Sequence, residues 1–184
     1  MKKLTVLGAA ALLSLTGSAA MGADLVTFEP PVAVIEPGGF YLKGQIGWTF
    51  MDTGFRKNDD GLNAGIGVGY YLNDIFRVDL TGDYSGSYDI GLENNLNVWS
   101  VLGNAYVSVP VLEVVSPFVG LGIGWGWLDT KGGRDGFTVA GYAGVSFAVT
   151  DRMAFDVSYR FRDIMVKGPD YADHSILAGF RVGF

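Results

Sequence analysis

An alternation of apolar with polar or small side chains repeats along most of this sequence. It is clearest in the last ten residues, Ser175–Phe184 (SILAGFRVGF), where the apolar positions end on Phe184. A period of two residues is typical of a β-strand with one apolar face. Such a strand has backbone groups at its edge that need a partner strand. We expect the first alternating segment, Phe40–Phe50, to be that partner, so that the sheet closes into a barrel.

Eight segments of the sequence alternate in this way. We predict strands at Phe40–Phe50, Leu62–Leu72, Ile75–Tyr84, Leu96–Val109, Pro117–Leu128, Phe137–Val149, Met153–Asp163 and Ser175–Phe184. The connections after the first, third, fifth and seventh strands are long and polar, and the other connections are short. The four long connections are Asp52–Gly61, Ser85–Asn95, Asp129–Asp135 and Ile164–Asp173. This pattern predicts an all-β fold, an eight-stranded antiparallel up-and-down transmembrane β-barrel over residues 39–184.

Alternation alone also fits a soluble, lipocalin-like barrel, so the direction of the apolar face has to be decided. The chain has 28 glycines and 14% aromatic residues. Bulky side chains on all eight strands would overfill so small a barrel, whereas the glycine-rich face leaves room inside it. We therefore predict that the apolar face contacts lipid. Aromatic residues near the segment ends would form interfacial girdles. They are Trp48, Phe50, Tyr84, Trp99, Trp125 and Trp127.

The length of the segments supports a membrane location. Ten residues at ~3.3 Å each, tilted by ~45°, span roughly 23 Å, which matches the apolar band of an outer membrane. An even number of strands puts both termini at one end. We expect that end to be periplasmic and the long loops to be extracellular.

The predicted inward face carries most of the charged residues of the strands. These are Lys43, Arg77, Asp79, Asp83, Asp156, Arg160, Arg162 and Arg181. Because the interior of an eight-stranded barrel is just filled by side chains, we expect them to form a hydrogen-bonded, ion-paired plug. A narrow pore or an ion path through the lumen is the alternative.

The N-terminus predicts export from the cytoplasm. Lys2 and Lys3 precede an apolar run, Leu4–Leu15, which small residues follow, so residues 1–23 are interpreted as a secretory signal peptide. Cleavage after Ala20 or after Ala23 fits, and we favour Ala23. Residues 24–38 contain three prolines and are predicted to form an extended periplasmic segment.

Composition restricts the partners. The chain has 13 basic and 19 acidic residues, for a net charge of −6, and loss of Lys2 and Lys3 makes it more negative. Nucleic acid is therefore not an expected partner. The absence of cysteine excludes disulfides and thiolate metal sites. We expect a monomer without a cofactor, in contact with outer-membrane lipid and lipopolysaccharide.

Two further sets of residues are candidate sites. His174, the single histidine, adjoins Asp173 and could belong to a lipid-modifying enzyme or bind haem iron. No second cluster supports either role, so a hydrated loop residue is the favoured interpretation. Five loop carboxylates could chelate a divalent cation shared with lipopolysaccharide, although a solvated loop is favoured there too. They are Asp52, Asp59, Asp60, Asp129 and Asp135.

Several motifs, taken in order, resemble a known family. They are Ser100–Tyr106 (SVLGNAY), Pro117–Gly124 (PFVGLGIG), Ala143–Phe147 (AGVSF) and Ala178–Phe184 (AGFRVGF). Over residues 39–184 the chain resembles the small eight-stranded outer-membrane β-barrel proteins of Gram-negative bacteria, the porin-family or opacity-like proteins. The terminal Phe184 is similar to the signal read by the barrel assembly machinery, which the resemblance implies as a partner.

The resemblance also implies a function. It implies a surface-exposed structural protein that supports envelope integrity, with no catalytic motif and hence no enzymatic activity. Because some relatives are implicated in host contact or haemin binding, a surface binding protein is the alternative.

Overall fold

The described part of the chain is a closed antiparallel barrel. A computed structural model describes residues 39–52, 59–88, 96–129, 133–166 and 171–184. Its strands are β1 (Phe40–Asp52), β2 (Asp59–Tyr71), β3 (Phe76–Tyr88), β4 (Leu96–Ser108), β5 (Val115–Asp129), β6 (Arg134–Thr150), β7 (Met153–Met165) and β8 (Tyr171–Gly183). Each strand pairs with its neighbours in sequence and β8 pairs with β1, which confirms the predicted eight-stranded up-and-down topology. No helix among these residues is long and apolar enough to cross a membrane.

The pairing of β1 with β8 closes the sheet, as the alternation in these two segments predicts. It extends from Tyr41 opposite Gly183 to Asp52 opposite Ala172. At its end the backbone N–H of Phe184 donates a hydrogen bond of 3.0 Å to the carbonyl of Phe40, and the two rings stack at 6.4 Å. Closure satisfies the backbone groups that an open sheet would expose along its edges.

The two faces of the sheet differ as predicted. The four tryptophans point outward and are each about half exposed, whereas inward neighbours such as Thr49 and Ser100 are buried. The indole N–H of Trp48 donates to Asp60 at 2.6 Å, and that of Trp125 donates to Asp135 at 2.9 Å. These tryptophans lie toward the end of the barrel that carries the long connections, here called the loop end. The opposite end, with the short connections, is called the turn end.

The strands continue further toward the loop end than the alternation predicts, so the predicted bounds of the long loops are wrong. The residues predicted in loops but found in strands are Asp52, Asp59–Gly61, Ser85–Tyr88, Asp129, Arg134, Asp135, Ile164, Met165 and Tyr171–Asp173. The physical reason is that, near the loop end, outward positions can be polar, as Asp135 is, and inward positions can be apolar, as Ile164 is. Side-chain alternation therefore fades although the backbone ladder continues, as it does where Ile164 lies opposite Tyr171.

Glycine is required where neighbouring strands crowd the inner face. A Cβ atom on Gly124 of β5 would lie 1.9 Å from the backbone carbonyl oxygen of Val101, so even alanine cannot fit without a shift of the wall. Gly141 of β6 points outward, and a Cβ atom there would meet no described atom within 4 Å. A methyl group therefore does not fit at Gly124, whereas there is space for one at Gly141.

This difference predicts the effect of one added methyl group. Gly124→Ala should lower the free energy of unfolding by about 1–3 kcal/mol through overpacking. The matched variant Gly141→Ala should leave it unchanged or raise it by about 0.5–1 kcal/mol, because alanine has less conformational freedom to lose in a strand. Urea titration of the barrel folded in detergent measures both values. Equal stabilities for the two variants would contradict the inferred crowding at Gly124.

Candidate functional site

The lumen of the barrel is the candidate site, because polar and charged side chains from most strands converge there. All eight charged residues assigned to the lumen from the sequence point inward in the structure. They are Lys43, Arg77, Asp79, Asp83, Asp156, Arg160, Arg162 and Arg181. Arg160 and Arg162 have no solvent-exposed surface in the described structure. Since an unpaired buried charge costs several kcal/mol, the partners of these groups decide what the lumen can do.

Toward the loop end, four charged residues form one group, the loop-side cluster: Asp83, Arg160, Arg162 and Asp173. Asp83 on β3 accepts hydrogen bonds from Arg160 at 2.9 Å and from Arg162 at 3.0 Å. Arg162 also donates from Nε and Nη2 to Oδ2 of Asp173, at 2.8 and 2.6 Å. Two cations therefore face two carboxylates. The cluster is electrically balanced and connects β3 with β7 and β8.

Neutral side chains complete the hydrogen bonds of Asp83. The amide of Asn63 donates to its Oδ1 at 3.1 Å, and the hydroxyl of Ser100 donates to its Oδ2 at 3.0 Å. Arg160 further donates to Ser175 at 3.2 Å, and the hydroxyls of Ser175 and Thr49 are hydrogen-bonded at 2.8 Å. A carboxylate held by this many donors has few vacant acceptor positions, so the cluster is well suited to fix strand positions.

Toward the turn end, five charged residues form the turn-side cluster: Lys43, Arg77, Asp79, Asp156 and Arg181. Arg181 binds Asp156 with two parallel hydrogen bonds of 2.7 and 2.8 Å, the strong bidentate arrangement. Lys43 Nζ lies 3.3 Å from Oδ2 of Asp79. The other oxygen of Asp79 accepts a hydrogen bond from Asn104 at 2.6 Å. Each carboxylate thus has a cation within close reach.

Aromatic rings occupy the space between these charges. The guanidinium carbon of Arg77 lies 4.5 Å from the ring centres of both Tyr106 and Phe118, a cation–π arrangement. Arg181 lies over Tyr41 and Tyr71, and it also donates a hydrogen bond to the Tyr71 hydroxyl. Rings and charges therefore fill the turn end of the lumen together.

The lumen also has an apolar component, which the predicted ion-paired plug did not include. Near the loop end, a cluster of buried side chains packs inside the barrel: Val98, Leu128, Ile164 and Val166. A second inward cluster consists of Leu102, Tyr106, Phe118, Ala140 and Tyr142. The period of two residues does indicate that Val98 and Leu102 point inward, because they have the same parity as the inward Ser100.

Asp173 is the charged lumen residue that sequence reasoning missed, because it was assigned to the last loop. In the structure it lies in β8 opposite Arg162. Its spacing of two residues from the inward Ser175 was the signal that could have found it.

His174 does not lie in a loop as the sequence interpretation expected. It belongs to β8 and points outward, where its ring packs 5.2 Å from that of Phe161 and its Nδ1 is hydrogen-bonded to the Tyr159 hydroxyl. This partly exposed position on the outer wall corrects the assignment as a hydrated loop residue.

Other sequence predictions fall wholly or partly outside the described residues. The signal peptide, the segment 24–38 and the loop residues 53–58, 89–95, 130–132 and 167–170 are outside them. The alternative of haemin or host-ligand binding by the loops concerns these loop residues. The five carboxylates that could chelate a cation lie in described strands: Asp52, Asp59, Asp60, Asp129 and Asp135. Within the described part, no group of three or more His, Asp or Glu side chains could hold a metal ion.

A closed sheet with an apolar outer wall and an ion-paired interior defines a class of protein, the small transmembrane β-barrels of the outer-membrane type. Residues 8–184 match the family described as the outer membrane protein beta-barrel domain. The chain belongs to that family and is an outer-membrane protein.

Comparison with individual proteins agrees with this classification. An uncharacterized protein of Brucella abortus (strain 2308) is 31% identical, and the match covers 78% of this chain and 75% of that protein. The crystal structure of Neisserial surface protein A superposes with a TM-score of 0.69 at 22% identity, over 79% of this chain and 97% of that one. For the N-terminal β-barrel domain of Pseudomonas aeruginosa OprF the TM-score is 0.50 at 17% identity, over 78% and 98%. At these identities the two structures support the fold alone.

The geometry of the loop-side cluster predicts the result of removing its central charge. Asp83→Asn should lower the free energy of unfolding by about 3–5 kcal/mol, because Arg160 and Arg162 lose a shared buried countercharge. The matched control is Asp135→Asn, which changes an exposed carboxylate that accepts a hydrogen bond from Trp125 and should cost less than about 1 kcal/mol. Urea titration of the folded barrel measures both effects. A loss at Asp83 no larger than that at Asp135 would contradict the role given to the cluster.

Proposed function

We propose that this protein is a structural, non-conducting component of the outer membrane that supports envelope integrity as a monomer. The observation that carries the proposal is the filled lumen, in which Arg160 and Arg162 are fully buried and both pair with Asp83. A hydrated ion could pass only if such pairs were broken. Because breaking a buried pair costs about 3–5 kcal/mol, a permanently open path is unfavourable.

The apolar cluster near the loop end supports the same conclusion. Val98 lies one inward position beyond Ser100, and Ile164 lies one inward position beyond Arg162, so the apolar side chains lie between the loop-side cluster and the loop end. A narrow apolar passage excludes water and therefore hinders ions. Charged and apolar layers in series thus both oppose conduction.

The proposed orientation follows from the strand number and the connection lengths. We propose that the turn end, with both chain termini, faces the periplasm and that the long loops face the exterior, as in other outer-membrane barrels. The apolar outer wall would contact lipid, and the tryptophans at the loop end would lie at the level of the lipopolysaccharide headgroups. A closed sheet offers no free edge for pairing with a second copy, which supports a monomer.

Conductance measurements test the filled lumen. The full chain, folded and inserted into planar bilayers, should give no stable, porin-like current steps, because the paired charges block the path. Insertion is verified separately by the change of electrophoretic mobility on boiling, which reports a closed barrel. Large, stable currents from the verified barrel would overturn the non-conducting assignment.

Deletion of the protein from cells distinguishes a structural barrel from a pore by its effect on the uptake of two kinds of solute. Loss of a structural barrel should raise the entry of a hydrophobic dye and leave the uptake of small hydrophilic solutes unchanged. Loss of a pore would instead reduce hydrophilic uptake. Expression of the intact chain should restore dye exclusion in the deleted strain.

We propose that Phe184 is the signal to the barrel assembly machinery, and this proposal gives a further prediction. Deletion of Phe184 should lower the amount of barrel in the outer membrane, while the yield of refolding in detergent stays near that of the intact chain. Phe180→Ala removes an outward aromatic ring from β8, which ends one residue before Phe184, but keeps the terminal residue, so it is the matched control. Equal losses for both variants in cells and in detergent would indicate a packing role instead of a signal.

A further inference from the structure

The connection between β4 and β5 differs in composition from the other two connections at the turn end. The β2–β3 turn has Asn73 and Asp74 at its centre, and the β6–β7 turn has Asp151 and Arg152. The β4–β5 connection, residues 109–114, has the sequence VPVLEV and is here called the apolar turn. Its one charged residue is Glu113, and most of the others are aliphatic.

The aliphatic side chains of the apolar turn are exposed in the described structure. Leu112 is 64% exposed, Val111 62% and Val114 51%. Exposure of neighbouring aliphatic groups to water is unfavourable, and a contiguous apolar patch typically marks a surface that another molecule covers. The described part of the chain does not itself cover these three side chains.

Backbone hydrogen bonds hold the apolar turn in this position. The N–H groups of Val111 and Leu112 both donate to the carbonyl of Val115, each at 3.2 Å. The carbonyl of Val114 accepts a hydrogen bond of 2.9 Å from the N–H of Ala148 in β6. Because the turn is fixed to both β5 and β6, its aliphatic side chains remain at the surface.

The apolar turn continues the outer wall of the barrel. Val107 in β4 and Val109 directly after it are exposed on the outer face, and Val111 follows at the same parity. The pairing of the two segments also continues, since the N–H of Val109 donates to the carbonyl of Pro117 at 2.9 Å. Val111 therefore extends the face that contacts lipid, not the face that lines the lumen.

The length of this apolar face indicates the depth of the turn. The outward positions from the loop end to the apolar turn carry no charged side chain: Trp99, Val101, Gly103, Ala105, Val107, Val109 and Val111. A rise of about 12 residues at ~3.3 Å each, tilted by ~45°, spans roughly 28 Å, compared with an apolar band of ~25 Å. With Trp99 at the level of the headgroups, Val111 lies at the opposite boundary of the hydrocarbon.

We propose that the apolar turn inserts into the lipid leaflet at the turn end, where phospholipid acyl chains cover Val111, Leu112 and Val114. Lipid is favoured over a protein partner because the turn is continuous with the wall that lipid already covers. Glu113 is exposed, so its carboxylate can remain among the hydrated headgroups. The two polar turns remain in water, so the barrel is anchored in this leaflet on one side.

Spin labels measure the depth of the turn directly. The chain has no cysteine, so a nitroxide on an introduced cysteine reports a single position. Leu112→Cys places the label in the apolar turn, and the matched control Asn73→Cys places it in the polar β2–β3 turn at the same end. Both are folded into vesicles of phosphatidylethanolamine and phosphatidylglycerol without any other protein. The accessibility to oxygen, which concentrates in hydrocarbon, relative to a water-soluble nickel chelate should be several-fold higher at residue 112 than at residue 73.

Equal accessibility ratios at the two positions would overturn the proposal. That result is expected for a turn that binds a protein, because the vesicles contain no such partner. Val111→Cys repeats the measurement on the same turn if Leu112→Cys does not fold, and the change of electrophoretic mobility on boiling verifies each barrel. The nickel chelate is present on both sides of the vesicle membrane. The outcome is therefore independent of the orientation of the barrel and of whether its lumen conducts.

Discussion

In the hydrocarbon of a membrane, every backbone N–H and carbonyl group has to be hydrogen-bonded within the protein, and this requirement dominates the structure. The pairing of β1 with β8 meets it by removing both edges of the sheet. Once eight strands close on each other, the width of the lumen is set. The inward side chains then have to fit a space of fixed size, which explains glycines such as Gly124 beside residues as large as Arg160.

Burial of charge follows from the same closure. Water is largely excluded from the filled interior, so each ionised group depends on the protein for its countercharge and hydrogen bonds. The loop-side cluster has equal numbers of cations and carboxylates among the described residues, although Nε of Arg160 and Oδ1 of Asp173 have no hydrogen-bond partner there. The turn-side cluster has three cations and two carboxylates among the described residues, and the guanidinium of Arg77 is stacked on the rings of Tyr106 and Phe118. The two polar regions of the lumen therefore differ in their charge balance.

Local pattern predicted the fold because the direction of a side chain in a strand depends only on its parity. For this reason Lys43 and Arg77 could be assigned to the lumen, and Trp48 and Trp125 to the lipid, without tertiary information. The partners of the charges could not be predicted in the same way. Arg160 and Asp83 are 77 residues apart, and their contact depends on the relative register of strands across the barrel. Asp173 was missed because alternation fades beyond the apolar band, where both faces of β8 can be polar.

The position of Arg160 opposite Asp83 has a mechanical consequence. β7 and β3 are four strands apart in a ring of eight, so their side chains meet across the full diameter of the barrel. Arg162 reaches Asp83 along the same diameter. Flattening the section of the barrel along this diameter would compress these ion pairs, and flattening it at right angles would stretch them. The barrel therefore resists a change in the length of this diameter when the lateral pressure or the curvature of the surrounding membrane changes.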